Sequence, residues 1–351
     1  ERFNGRIDDE KDHLIVEDLS GKVGRSDFKT TLHYYLGDNE AEKKRSNHFS
    51  IVSNQLDLDQ LLDYHVPETP NEQVNHDSVF NIYSLPFTDM TYDIDIKRLN
   101  YHTYLIFNML GKLRTTPDHY LYLDQFNLDA ADGNFDIKGY FNGSNPSLIY
   151  FSPDMKVKDV NLDKFLLKFD NFGQDHLVSE NLHGKFSGTI TGKIHMHADL
   201  TPKIDDSELH MDVHVTDGKL ENFEMFEAMS DYFADKNLKS VRFDTLDNHF
   251  DMVNGELTIP NMDINSSVGH MLISGKQNTD LTFEYYVSVP WKVVTQAASS
   301  KLFKRKKDEV DATQVDEIQY ANENKKTRYV NIKIKGDPDD YNISLGKRKK
   351  K

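Results

Sequence analysis

The chain has 351 residues, 42 Lys and Arg against 58 Asp and Glu, a net charge of -16 and no cysteine. That balance lacks the basic footprint of a nucleic-acid binder, and without thiols there is no disulfide framework, Cys-ligated zinc, iron–sulfur cluster or cysteine nucleophile. No apolar run reaches the roughly 20 residues that cross a bilayer, no signal peptide is visible, and the start at Glu1 rather than Met is expected of a fragment or processed product.

Residues 1–75 read as the end of a preceding β-unit plus a linker. Residues 14–35 give two strands around Gly21 and Gly24, residues 36–39 a turn and residues 49–52 a strand. Residues 56–62 look like a strand end running into one helical turn, and 65–78, with Pro67, Pro70 and several Asn, form the linker candidate. Residues 76–300 carry a repeated β-sheet. Tyr92-Asp93-Ile94-Asp95-Ile96-Lys97 alternates strictly, and strands follow over 104–113, 119–126 and 134–141. Turn signals at Thr115-Thr116-Pro117-Asp118, Asp132-Gly133 and Asn142-Gly143 separate them. Residues 155–167 repeat the strand-into-helical-turn pattern, and 184–200 with 208–215 form a candidate hairpin around Thr201-Pro202-Lys203.

After a turn at Asp217-Gly218, the spacing of Phe223, Phe226, Met229 and Phe233 predicts a helix over 221–239. Acids come early and Lys236 and Lys239 late, as the helix dipole favours, and the apolar stripe must dock on a sheet as a cap. Strands return at 241–243, 255–259, 271–273 and 281–289, and a short helix is expected over 294–303. Residues 301–328 read as a charged mobile excursion, 329–346 as two closing strands around Gly336-Asp337-Pro338, and 347–351 as a basic tail.

Two segments share one template, Gly-x-apolar-x-apolar-x-Gly: Gly133 to Gly139 and Gly269 to Gly275. A looser relative runs from Gly184 to Gly192. Glycines inside strands are unfavourable unless the sheet bends or another backbone approaches closely, so the repeat predicts hairpin units on one curling sheet. The faces separate as well. Ile194, Met196, Ala198 and Leu200 oppose His195, His197 and Asp199, and Leu209, Met211, Val213 and Val215 oppose His210, Asp212 and His214. A sheet with one apolar face must cover it. Either it folds on itself as a sandwich, or it leaves an apolar groove for a ligand. The expected fold class is mainly β: an elongated, curved antiparallel sheet of repeated hairpins forming an apolar groove, with one short capping helix.

Asp217-Gly218-Lys219-Leu220, the run from Phe223 to Phe233, Val241-Arg242-Phe243, Phe250 to Leu257 and the Gly269 template together resemble the C-terminal periplasmic region of AsmA-like proteins, a family related to TamB and to bridge-like lipid-transfer proteins. Residues 92–143 and 329–345 share the resemblance. It rests on glycines and alternation rather than on a catalytic signature, and the charged segment 301–328 departs from it. The resemblance implies a Gram-negative envelope protein held in the inner membrane by an upstream helix, with a periplasmic β-groove serving outer-membrane biogenesis. The lining expected from alternation is Ile94, Ile96, Leu121, Leu123, Phe135, Ile137, Ile194, Met196, Met211, Val213, Phe283, Tyr285 and Val287. Such a lining can shield acyl chains, at about 0.8 kcal/mol per buried methylene, without catalysis or a cofactor. The expected partners are a phospholipid or other envelope lipid and, further, envelope proteins.

Other chemistry is outweighed. His195, His197, His210 and His214 lie on polar faces, but their spacing matches no metal-ligand motif, so no metal site is expected. Asp93 with Asp95 and Asp57 with Asp59 read as solvated strand acids rather than a glycosidase dyad. No Gly-x-Ser-x-Gly, P-loop or dinucleotide fingerprint is present. The alternative reading is a β-sandwich or solenoid binding module for glycans or protein partners, using exposed aromatics such as Tyr122 or Tyr286.

Overall fold

The computed structural model describes all residues except 1, 11, 38, 40, 42, 44, 62–80, 86, 102–103, 169–179, 234–235, 293, 295–316, 322–326 and 347–351. The predicted linker, most of the 294–303 helix and the basic tail lie outside the described residues. The chain is mainly β, with hairpins following one another in sequence. It divides into two units, 1–157 with 191–203, and 158–190 with 204–351. No helix among the described residues is long and apolar enough to cross a membrane.

In the first unit, β1 (Arg2–Glu10), β2 (His13–Val23), β3 (Ser26–Tyr35) and β4 (His48–Ser53) pair antiparallel in order. β5 (Leu56–Asp57) runs into the single-turn helix α1 (Leu58–Leu61), as the sequence predicts. The order then departs from a pure antiparallel sheet. β4 and β5 both pair in parallel with β6 (Met90–Tyr101). Residues on both sides of the predicted linker therefore belong to one sheet, and the unit division falls elsewhere. β7 (Tyr104–Thr116), β8 (Tyr120–Ala130) and β9 (Gly133–Asn142) continue antiparallel, and β10 (Ile149–Asn161) pairs with β9.

The division between units passes through β10, β11 (Leu182–Met196) and β12 (Pro202–Glu221). After β10, the short helix α2 (Leu162–Lys168) repeats the strand-into-helix device of β5 and α1. The second unit continues through β13 (Ser240–Val253), β14 (Glu256–Ser266), β15 (Gly269–Asn278), β16 (Phe283–Pro290), β17 (Tyr329–Gly336) and β18 (Tyr341–Gly346), each antiparallel to the last.

Two expectations are corrected. Asp217-Gly218 is not a turn: β12 runs through both to Glu221, with Asp217 held at φ 54°. The predicted 221–239 helix is far shorter. Helix α3 covers Glu224–Ala228, followed by a 3-10 turn over Met229–Tyr232. Phe223, Phe226 and Met229 recur every three residues, the period of a 3-10 helix, which seldom runs beyond three or four residues. The predicted excursion is also docked in part. Gln319 bridges to Ser266, the Ala321 amide donates to Asn265 Oδ1 at 3.0 Å and the Tyr320 hydroxyl donates to Asp244 at 3.2 Å.

The repeated glycines do what their template predicts. A Cβ on Gly139 would collide with the Ser152 carbonyl on β10, and one on Gly275 with the backbone of Glu284 and Tyr285 on β16. The second glycine of each template thus sits where the next strand crosses closely. Bulges at Val16/Leu19, Phe107/Leu110, Leu123/Phe126 and Ile259/Met262 add local twist.

The core of the second unit lies under α3. Met229, Val289 and Ile332 are fully buried with Phe233, Val241, Val268, Met271, Phe283, Val287 and Ile334. On the opposite face, Glu284 accepts from the Tyr286 hydroxyl and from Lys333, and Lys335 lies beyond. These contacts, the Tyr286 hydrogen bond foremost, hold the Glu284 carboxyl at about 2. Met229→Ala is expected to cost about 2–5 kcal/mol in denaturant unfolding, the range for a buried methionine that leaves a cavity. Because the folded-state pKa of Glu284 is lowered, its stabilisation is present above the ordinary carboxylate range and fades as pH falls toward about 2. Glu284→Gln should therefore lower the melting temperature at pH 7, with the gap to wild type closing by acid; solvent screening keeps the effect near about 1 kcal/mol.

Candidate functional site

Directly paired residues of antiparallel strands share a face, so the registers place the predicted lining. In the first unit, Ile94 faces Gly111, Gly111 faces Phe126, and Phe126 faces Ile137. One apolar row thus crosses β6 to β9. Leu123 faces Gly139 and Leu121 faces Phe141 on the same side. Two covers lie on it. Leu58 of α1 packs with Ile96, Leu99 and Met109, and the 3-10 turn Ile82–Ser84 packs with Phe141, Ile149, Leu121 and Met196. Leu123 and Ile137, in neither of these clusters, are only half-buried, as is Ile194, while Ile94 and Leu121 are half-buried at the edges of the covered clusters.

The second unit repeats this arrangement. Under α3 the face is dry. Further along it, Met211 faces Phe250, Leu209 faces Met252, and Met252 faces Leu257, all half-buried. Each hydrophobic cluster among the described residues joins neighbouring strands and a short cover, and none joins two stacked sheets. The open sheet is thus found, and the sandwich is not. Of the predicted lining, Ile96, Phe135, Phe283 and Val287 are buried core rather than open surface. Ile94, Leu121, Leu123, Ile137, Ile194, Met196, Met211, Val213 and Tyr285 are half-buried. Tyr285 stacks on Phe283, with ring centroids 4.8 Å apart, and donates its hydroxyl to Gln277 Oε1 at 2.7 Å. Burial pushes that phenol up to about 12. Asn248 stands opposite Val213 on the apolar face, and its buried Nδ2 has no hydrogen-bond partner.

The polar face of β12 and β13 carries a ladder of histidines and carboxylates. His214 Nδ1 meets Asp247 at 2.5 Å, His249 Nδ1 meets Asp212 at 2.8 Å, and His210 Nδ1 meets Asp251 at 2.6 Å. His249 Nε2 also reaches Asp251 at 3.1 Å, and His210 Nε2 reaches Glu208 at 3.2 Å. The bond to Asp251 raises the His210 pKa and the bond to Asp212 raises that of His249, while the same bonds lower both carboxylates. The four predicted histidines do not share one cluster. His210 and His214 each take an acid from β13, while His195 lies 6.0 Å from the Tyr150 ring in the first unit. The sequence reading missed His249 and Asp251, whose one signal is the alternation of residues 248–252. Only the β12–β13 register brings them to His210.

Asp57 is a further correction: it is buried, not solvated. Its carboxylate accepts the Gln60 amide of α1 at 3.0 Å and pairs with Arg25 at 2.9 Å. The Gln60 bond, foremost, lowers its pKa. This is a capping role, not an acid–base pair. Another polar-face feature lies in the first unit. Tyr120, Tyr122, Tyr140 and Tyr150 form a row with centroids 5.8 to 6.4 Å apart, flanked by Arg114 at 3.9 Å from Tyr122 and Lys193 at 4.6 Å from Tyr150.

The two kinds of apolar position separate in a stability assay. Val287→Glu buries a carboxylate in a dry cluster and is expected to cost more than about 3 kcal/mol. Val213→Glu, at a half-buried position, is expected to cost about 1 kcal/mol and to leave the circular dichroism spectrum unchanged. Comparison with protein-family models, with curated proteins and with solved structures finds no match to this chain.

Proposed function

We propose that this chain shields or conveys lipid along the apolar face of its open sheets, as a non-enzymatic, AsmA-like protein of a Gram-negative envelope. The observation that carries this reading is the half-buried apolar surface between the short covers, together with the absence of a packed second layer among the described residues. Contiguous apolar surface of that kind marks a binding site. The acyl chain is the ligand whose length and chemistry match a stripe running strand after strand. The unpartnered Asn248 amide on that stripe offers a donor to an ester or phosphate oxygen. The resemblance to AsmA-like proteins supplies the compartment: the periplasm, with an inner-membrane anchor upstream and outer-membrane biogenesis as the process served.

One observation favours a second reading. The tyrosine row from Tyr120 to Tyr150 is the kind of flat aromatic surface on which sugar rings stack, which suits a glycan-binding module.

The test is lipid extraction from the purified chain followed by mass spectrometry. Co-purifying lipid is expected, and Val213→Glu and Leu123→Glu, each folded, should reduce it severalfold. A lipid-free chain, with both variants folded and unaltered, removes the lipid reading. Binding on a glycan array that Tyr122→Ala and Tyr140→Ala abolish then selects the second.

A further inference from the structure

The ladder on β12 and β13 contains an arrangement that lipid shielding does not use. Asp251 Oδ1 lies between two imidazoles, 2.6 Å from His210 Nδ1 and 3.1 Å from His249 Nε2. These three groups offer ligand atoms that all lie within 4.8 Å of one another. The rings are nearly parallel, at 9°, with centroids 6.3 Å apart. The nitrogen that each ring turns away from Asp251 is held by another carboxylate: His249 Nδ1 by Asp212 at 2.8 Å, and His210 Nε2 by Glu208 at 3.2 Å. The Thr189 hydroxyl fixes Asp212 in turn, donating at 3.0 Å. A metal-ligating histidine has this surrounding: its other ring N–H is given to a carboxylate, which sets the tautomer and makes the ligating nitrogen more basic.

We propose that His210, His249 and Asp251 bind a divalent transition-metal ion of the zinc class, with Asp212 and Glu208 as positioning residues for the two imidazoles. The protons that both rings now share with Asp251 leave as the ion enters, so two neutral imidazoles and one carboxylate face it. Zinc takes such ligands at about 2.0–2.2 Å in a tetrahedron, which spaces the donor atoms about 3.4 Å apart. Each histidine–aspartate separation then opens by less than about 1 Å, within the range of side-chain rotation at a solvent-facing site. The side chains of His210, His249 and Asp251 are 41%, 50% and 42% exposed, which leaves the fourth position to water. Two nitrogen donors select against calcium and magnesium, which take oxygen ligands. The ligands sit on two strands whose register pairs His210 with Asp251 and Asp212 with His249, so the sheet and not a loop sets their spacing.

The test uses the full chain freed of any affinity tag. Cobalt(II), followed by visible absorption and calorimetry, is expected to bind at one saturable site from which zinc displaces it. His249→Ala and Asp251→Asn should each weaken that site about tenfold or more, and Asp212→Asn, which keeps all three ligands, by about 10- to 100-fold. His195→Ala should leave it unchanged. Circular dichroism checks that each variant is folded. A wild-type chain with no saturable site, or an affinity unmoved by His249→Ala and Asp251→Asn, overturns the proposal. An affinity unmoved by Asp212→Asn overturns the positioning role.

Discussion

Alternating side chains give each strand one oily edge, and hydrogen bonding to the next strand in sequence gathers those edges on one face. With no second sheet found against it among the described residues, that face is covered there where a short segment happens to lie. Helix α3 and its 3-10 turn reach β13 to β17, and there the packing is dry, with Met229, Val289 and Ile332 wholly out of water. In the first unit Ile82 and Leu58 do the same over smaller areas. The remaining rows, such as Met211 with Phe250 or Leu123 beside Ile137, lose only part of their contact with water. Each covered patch stabilises its unit, and each uncovered row keeps part of its apolar surface in water.

Backbone devices keep such a sheet from lying flat. The second glycine of each template lets the following strand approach where a side chain would collide, at Gly139 beneath Ser152 and at Gly275 beneath Glu284. Bulges between Leu123 and Phe126 and between Ile259 and Met262 lie close by on the neighbouring strands. They skip residues without losing the face: Leu123 and Phe126 still point to the same side as Gly139 and Ile137. Curl and facial register are thus produced by the same few positions.

Much of this was legible in the sequence, because period-two alternation is a local property. Residues 281–289 and 329–345 became β16 to β18 almost as read, and the strand-into-helix stretches at 56–62 and 155–167 became α1 and α2. What depended on distant partners was not legible. The parallel pairing of β4 with β6 requires residues 48–53 to find 91–96 across a long connection, and no local spacing announces it. The pattern over 221–239 predicts too long a helix because Lys236 and Lys239 suit a helix C-terminus as well as they suit the turn before β13. The histidine ladder failed for a related reason. His210 was visible, but its partners His249 and Asp251 lie 39 and 41 positions downstream, and only the β12–β13 register makes them neighbours. The alternation in Asn248-His249-Phe250-Asp251-Met252 was the available signal, and it needed a hairpin register to become a site.

The two faces answer to different physics. On the polar face, acids are matched across strands, as in Glu284 with Lys333 and Glu256 with Lys276, so a strongly acidic chain avoids like charges side by side. Each such pair contributes little, about 0.2–1 kcal/mol, and can be exchanged for another without loss of the fold. The apolar face has no such freedom. Its uncovered rows are less stable bare than covered, so any ligand that occupies them adds to the stability of the folded state by mass action. If the rows carry lipid as proposed, carriage and folding stability are coupled through one surface: an occupied sheet gains on its open rows the kind of dry cover that α3 gives to its own patch.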